Sequence, residues 1–163
     1  MPRPLCMGLM HNSAIVVQAG TVMRRLHWIG IVAVAAALGG CANTGLQEEP
    51  GISDTFSVAA DYQAAYRRAV EYVRVCHEGR KHRYGTVYLS SRELGVRDAP
   101  NTLRIHKQGE PLRILEVIQT AMDGPSSSKV TVTVLGTAPW DKDELAAARR
   151  SIETATPVCR ALE

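Results

Sequence analysis

The apolar run from Trp28 to Leu38 stops abruptly at Gly39-Gly40-Cys41, and this stop limits how much of the chain is left to fold. About a dozen apolar or small residues are too few for a bilayer span, which needs roughly 20. Arg24 and Arg25 lie just before the run and supply the positive flank of a secretory signal. A short apolar segment can also be a buried core helix, but the order of arginines, Ala-rich run and Gly-Gly-Cys stop favours an exported leader over residues 1–40. Met23, followed at once by Arg24-Arg25, reads as a better start than Met1. About 110 residues then remain for a folded part, enough for one domain with one modest core.

Leu38-Gly39-Gly40-Cys41 resembles the lipobox of bacterial lipoproteins. The resemblance implies that signal peptidase recognises Leu38, Gly39 and Gly40, and that Cys41 becomes the lipidated (palmitate-bearing) first residue of the mature chain. One acyl chain anchors only marginally, whereas two anchor stably. Ala42 follows the cysteine where an Asp would mark inner-membrane retention in double-membrane bacteria. By that sorting rule the protein belongs on the periplasmic face of the outer membrane, or on the cell membrane if the host has only one.

The leader also accounts for the basic charge. Of 19 Lys+Arg and 16 Asp+Glu, Arg3, Arg24 and Arg25 precede Cys41 and no acid does, leaving 16 against 16. A formally neutral mature chain offers no electrostatic footprint for nucleic acid. Cys6 leaves with the leader and Cys41 carries lipid, so Cys76 and Cys159 remain as a pair. Exported thiols normally pair as a disulfide; the alternative is two separate buried cysteines acting as small hydrophobes.

Residues 41–53 are polar, with Gly45, Pro50 and Gly51, and read as the lipidated cysteine followed by a flexible tether. The globular domain is expected over 54–163. Thr55–Val58 is a short strand candidate. From Asp61 to Cys76, Tyr62, Tyr66, Ala69, Val70, Val73 and Cys76 recur at helical spacing. Arg67, Arg68, Glu71, Arg74 and Glu78 lie opposite, and Glu71–Arg74 and Arg74–Glu78 are neighbours able to pair. Thr86–Ser90, Thr102–Lys107 and Val130–Leu135 alternate as half-buried strands. Leu112–Ala121 is apolar on both alternations and fits a central strand or a short helix; the following Asp123-Gly124-Pro125 turn favours the strand. Asp141 with Glu144 resembles a capping box, Trp140 and Leu145 a hydrophobic staple. Leu145, Ala148, Ile152 and Ala155 are the expected buried stripe of this last helix, which Pro157 ends.

The order β-α-β-β-β-β-α predicts an α+β domain, an antiparallel sheet of about four strands with two helices on one face. The layout is similar to that of small two-cysteine periplasmic lipoproteins, a likeness that implies no active residues.

Chemistry is sparse. His77, His82 and His106 are the histidines after Cys41. His77 and His82 are expected in a charged loop, where Arg80, Lys81, His82 and Arg83 form either a small anion or headgroup patch or a solvated surface. His106 is expected to point outward from its strand. No His-x-x-x-His or Glu-x-x-His spacing suggests a metal. Ser90-Ser91 and Ser126-Ser127-Ser128 lack a nucleophile-elbow setting. Asp141, Asp143 and Glu144 are accounted for as helix-start acids. The expectation is a lipid-anchored, non-catalytic envelope adaptor, assembly or secretion accessory protein that binds another envelope protein, without cofactor. The alternative is an envelope hydrolase or wall-modifying enzyme whose residues converge only in space.

Overall fold

The computed structural model describes residue 46 and residues 50–162. The leader, Leu38-Gly39-Gly40-Cys41 and most of the expected tether lie outside the described residues. Among those described, no helix is long and apolar enough to cross a membrane.

Five strands, β1 (Ile52–Val58), β2 (Tyr88–Glu93), β3 (Asn101–Lys107), β4 (Ile114–Met122) and β5 (Ser128–Val134), form one sheet in the order β1-β5-β4-β3-β2. All neighbouring pairs are antiparallel. The expected element order is observed, with five strands in place of about four. The difference comes from β1, which runs along β5 with Ile52 opposite Val134 and Val58 opposite Ser128. Ile52 and Ser53, expected in the tether, are therefore already strand. Of Leu112–Ala121, the part from Ile114 on resolves as strand, in a central position that is covered by α1 (Tyr62–Val73), while Leu112 is exposed in the preceding turn.

Alternation sorts the sheet into two faces. Phe56, Val58, Leu103, Ile105, Ile118, Val130, Val132 and Val134 are buried in a common core with Ala65, Ala69, Val73, Ala148 and Ile152 of the helices. The opposite face is polar: Ser53 and Thr133 share a 2.7 Å hydrogen bond, Thr55 and Thr131 one of 3.0 Å.

Asp61 caps α1, its Oδ1 accepting from the amides of Gln63 and Ala64 at 3.0 and 2.9 Å. The helix then widens into a π turn over Arg74–Glu78 and ends at Gly79. Of the two surface pairs expected on α1, Glu71–Arg74 forms. Glu78 instead accepts from the amide and hydroxyl of Ser90 and pairs with Arg92.

In α2 (Lys142–Thr154), Asp141 caps by accepting from the Asp143 amide at 2.9 Å. Its buried residues are Glu144, Ala147, Ala148, Ser151 and Ile152, a face rotated from the expected one. Leu145 is half-buried, and Ala155 is the exposed, left-handed cap (φ 57°). Glu144 is thus no capping-box acid, and Trp140 packs on His77 and Tyr88, with ring centroids 5.0 and 5.1 Å away.

The segment after α2 returns across the end of α1. The Val158 amide donates to Ser151 Oγ at 2.8 Å, and Cys159 is bonded to Cys76 with their Cα atoms 5.2 Å apart. The bridge spans 83 residues of sequence, so it constrains a large share of the unfolded chain. Replacing both cysteines with serine should cost about 2–4 kcal/mol of stability, read from urea unfolding of the non-reduced protein. Two alkylatable thiols in the parent by mass spectrometry would contradict the bridge.

Candidate functional site

In the π turn at the end of α1, consecutive residues Cys76 and His77 are both buried. Cys76 meets the tail, and His77 enters the space beneath the sheet. His77 is 5% exposed, which corrects its expected place in a solvated loop: the chain up to Glu78 is still helical, and the loop begins after Gly79.

A second irregularity lies in β4. Ile105 pairs with Glu116, whereas His106 pairs with Ile114, which leaves Leu115 without a partner in β3. A bulge of this kind re-aims side chains: Leu115 joins the core cluster while the adjacent Glu116, 0% exposed, is also fully inside. The first turn of α2 adds Glu144, 1% exposed.

These elements converge. His77 Nε2 lies 3.1 Å from Glu144 Oε1 and 3.6 Å from Glu116 Oε2. The Tyr72 hydroxyl donates to Glu144 Oε1 and sits 3.2 Å from His77 Nε2. Arg160, 18% exposed at its side chain, places Nε 2.9 Å from the other Glu144 oxygen, Oε2. The Arg160 carbonyl in turn accepts from Arg80 at 2.7 Å. Both oxygens of Glu116 are buried without a hydrogen-bond partner.

Burial first, and the neighbouring Glu144 carboxyl second, push Glu116 well above the usual carboxylate range. Burial also raises the Tyr72 phenol, helped by Glu116 and Glu144, so it keeps its proton and remains a donor. A cavity of about 20 Å³, room for roughly one water, is lined by His77, Glu144, Trp140, Tyr88 and Arg160. One imidazole, two carboxyls and a phenol in this space can exchange a proton, hold a small cation, or serve as a buried polar brace.

The basic run does not form one outward patch. Arg80 is half-buried on the Arg160 carbonyl, and His82 is half-buried with Nε2 2.9 Å from the His77 carbonyl. Burial lowers the His82 pKa most, partly opposed by that hydrogen bond. Lys81 and Arg83 are exposed. Arg83 and His82 border a surface cleft of about 350 Å³ with Arg160 and Tyr88. His106, half-buried, lies apart, opposite Leu89 in the β2–β3 register.

Spacing could not reveal the cluster, because its members come from α1, the π turn, β4, α2 and the tail. Glu116 did carry a signal: it is the one charged residue in the apolar stretch Ile114–Ile118.

Two outcomes follow for this cluster. Arg160→Met leaves a buried carboxyl without its guanidinium and should cost about 3 kcal/mol; in a Glu144→Gln background the same change should cost far less, as a double-mutant cycle by chemical unfolding would show. The second concerns pH. In the folded domain Glu116 holds its proton above the unfolded value of about 4.3, so the associated stability is full below that pH and is lost as pH rises toward the folded value. In metal-free protein, Glu116→Gln should therefore gain in melting temperature relative to the parent between pH 4 and pH 8; a gap that does not change with pH would contradict it. No family model, curated protein or solved structure matches the chain, so the role of the cluster rests on its own geometry.

Proposed function

We propose that this protein is a bacterial lipoprotein, anchored through lipid on Cys41, whose domain is a non-catalytic envelope adaptor that binds another envelope protein. In a double-membrane host the anchor places it on the periplasmic face of the outer membrane. The Cys76–Cys159 bridge is the observation that carries the export half of this reading. Disulfides persist in oxidising compartments and are rare where thiols are kept reduced.

The partner-binding half is supported by the distribution of apolar surface. Tyr84, Val87, Leu89, Leu94 and Val96 are all exposed, and they cluster on the edge strand β2 and its flanks. Free sheet edges and grouped apolar residues are ready-made sites for protein contact. The hydrolase reading is favoured by one feature, the buried His77–Glu144–Glu116 set beside a cavity; turnover of envelope ester or amide substrates that disappears in His77→Gln would displace the adaptor reading.

Cys41→Ser should give an uncleaved or soluble form in membrane fractionation; a variant still processed and membrane-held would overturn the anchor. A photo-crosslinking side chain at Leu94 or Val96 should capture one dominant envelope protein, whereas the same probe at Lys129 on the polar sheet face should not. Equal capture from both positions would contradict the assignment of this edge.

A further inference from the structure

We propose that His77 Nε2, Glu116 Oε2 and Glu144 Oε1 form a binding site for one zinc-class divalent cation. The three donor atoms lie within 4.8 Å of one another, each on a buried residue from a different element. Their geometry suits the ion. Tetrahedral zinc with N and O ligands at about 2.0–2.1 Å requires neighbouring donors about 3.3 Å apart; the two separations from His77 Nε2 are 3.1 and 3.6 Å, and the two carboxyls, within 4.8 Å of each other, close on the ion by a side-chain rotation.

Glu116 supplies the independent sign of a missing ligand. Its carboxyl is fully buried, aimed at His77, and neither oxygen has a hydrogen-bond partner. Buried charged groups are ordinarily paired or bound to metal. Glu144 is paired with Arg160, whereas Glu116 has only His77 Nε2 at 3.6 Å, and a dication bound there would supply a counter-charge to its carboxylate.

Arg160 does not compete for the same position. It contacts Glu144 Oε2, while the oxygen turned toward His77 is Oε1. Arg160 thus holds Glu144 in place through Oε2, as outer partners do for metal-bound carboxylates, whereas the Tyr72 hydroxyl, on Oε1 and 3.2 Å from His77 Nε2, has to turn aside when the ion binds. Three protein donors leave one tetrahedral position for solvent, and the 20 Å³ cavity beside His77 and Glu144 has the room for it. The donor set selects against the commoner alkaline-earth ions: calcium takes six to eight oxygens, and magnesium favours an octahedron rich in water.

This proposal is independent of the lipid anchor and of the partner-binding edge; its failure would leave both standing. It is tested on the full chain, purified in detergent without reductant and stripped with EDTA. Zinc titrated against a chromophoric chelator should bind at one equivalent per chain, and calcium or magnesium in excess should not displace it. X-ray absorption of the zinc-loaded parent should show the scattering of a single imidazole. Glu116→Gln should weaken binding at least tenfold, whereas His106→Asn should leave it unchanged. Absence of stoichiometric zinc, two or no imidazoles around the ion, or unaltered affinity in Glu116→Gln would each overturn the site. The absorption spectrum of the parent decides the matter even if the variant folds poorly.

Discussion

The Glu144 carboxyl under the sheet is the point on which the lower half of the domain depends. Taking such a group out of water costs several kcal/mol unless its oxygens are satisfied. Here one oxygen faces Arg160 and the other accepts from Tyr72. These two contacts join the start of α2 to the last turn of α1 and to the C-terminal tail. The tail is held at consecutive residues by unlike means, covalently at Cys159 and electrostatically at Arg160. In the first turn of α2 Glu144 is buried while Leu145 packs at the margin of the core, and the Glu144 contacts tie the rotation of this helix to the path of the tail.

Two departures from regular structure lie next to His77 and Glu116. The π turn buries Cys76 and His77 together, as the α-helical part before it buries Ala65 with Tyr66 and Tyr72 with Val73. An unbroken β3–β4 ladder would send Leu115 and Glu116 to opposite faces of the sheet. The bulge lets Leu115 join the core while Glu116 stays buried beside His77. Regular secondary structure builds the layers and places Tyr72, Glu116 and Glu144, and the π turn adds His77.

This division explains what could be read from residues alone. Val130, Val132 and Val134 alternate with threonines, a pattern that only a strand with one covered face satisfies, and β5 forms accordingly. The cysteine pair was legible because elimination left two thiols. By contrast, His77 is followed by Gly79 and a basic run that read as loop, since a π turn leaves no periodic trace. Glu144 has the position of a capping acid, and local spacing cannot distinguish that role from a tertiary one. β1 was only partly legible, because Ile52 and Ser53 follow Pro50-Gly51 and look like tether until β5 is there to pair with them.

Glu116 is the residue that packing least explains. At an inward position between Ile114 and Ile118 in the middle of a sheet, isoleucine or valine would suit strand propensity and core burial alike. The carboxyl there sacrifices both and leaves two oxygens unpartnered. A hydrogen-bonded brace would not need it, because Tyr72, Glu144 and Arg160 already satisfy one another. Places where a chain breaks its own local rules without structural compensation are where function is expected to reside. The π turn also delivers Cys76 to its disulfide and the bulge delivers Leu115 to the core, so the unpartnered oxygens of Glu116 are the feature that packing leaves over and that an ion held between these side chains would account for.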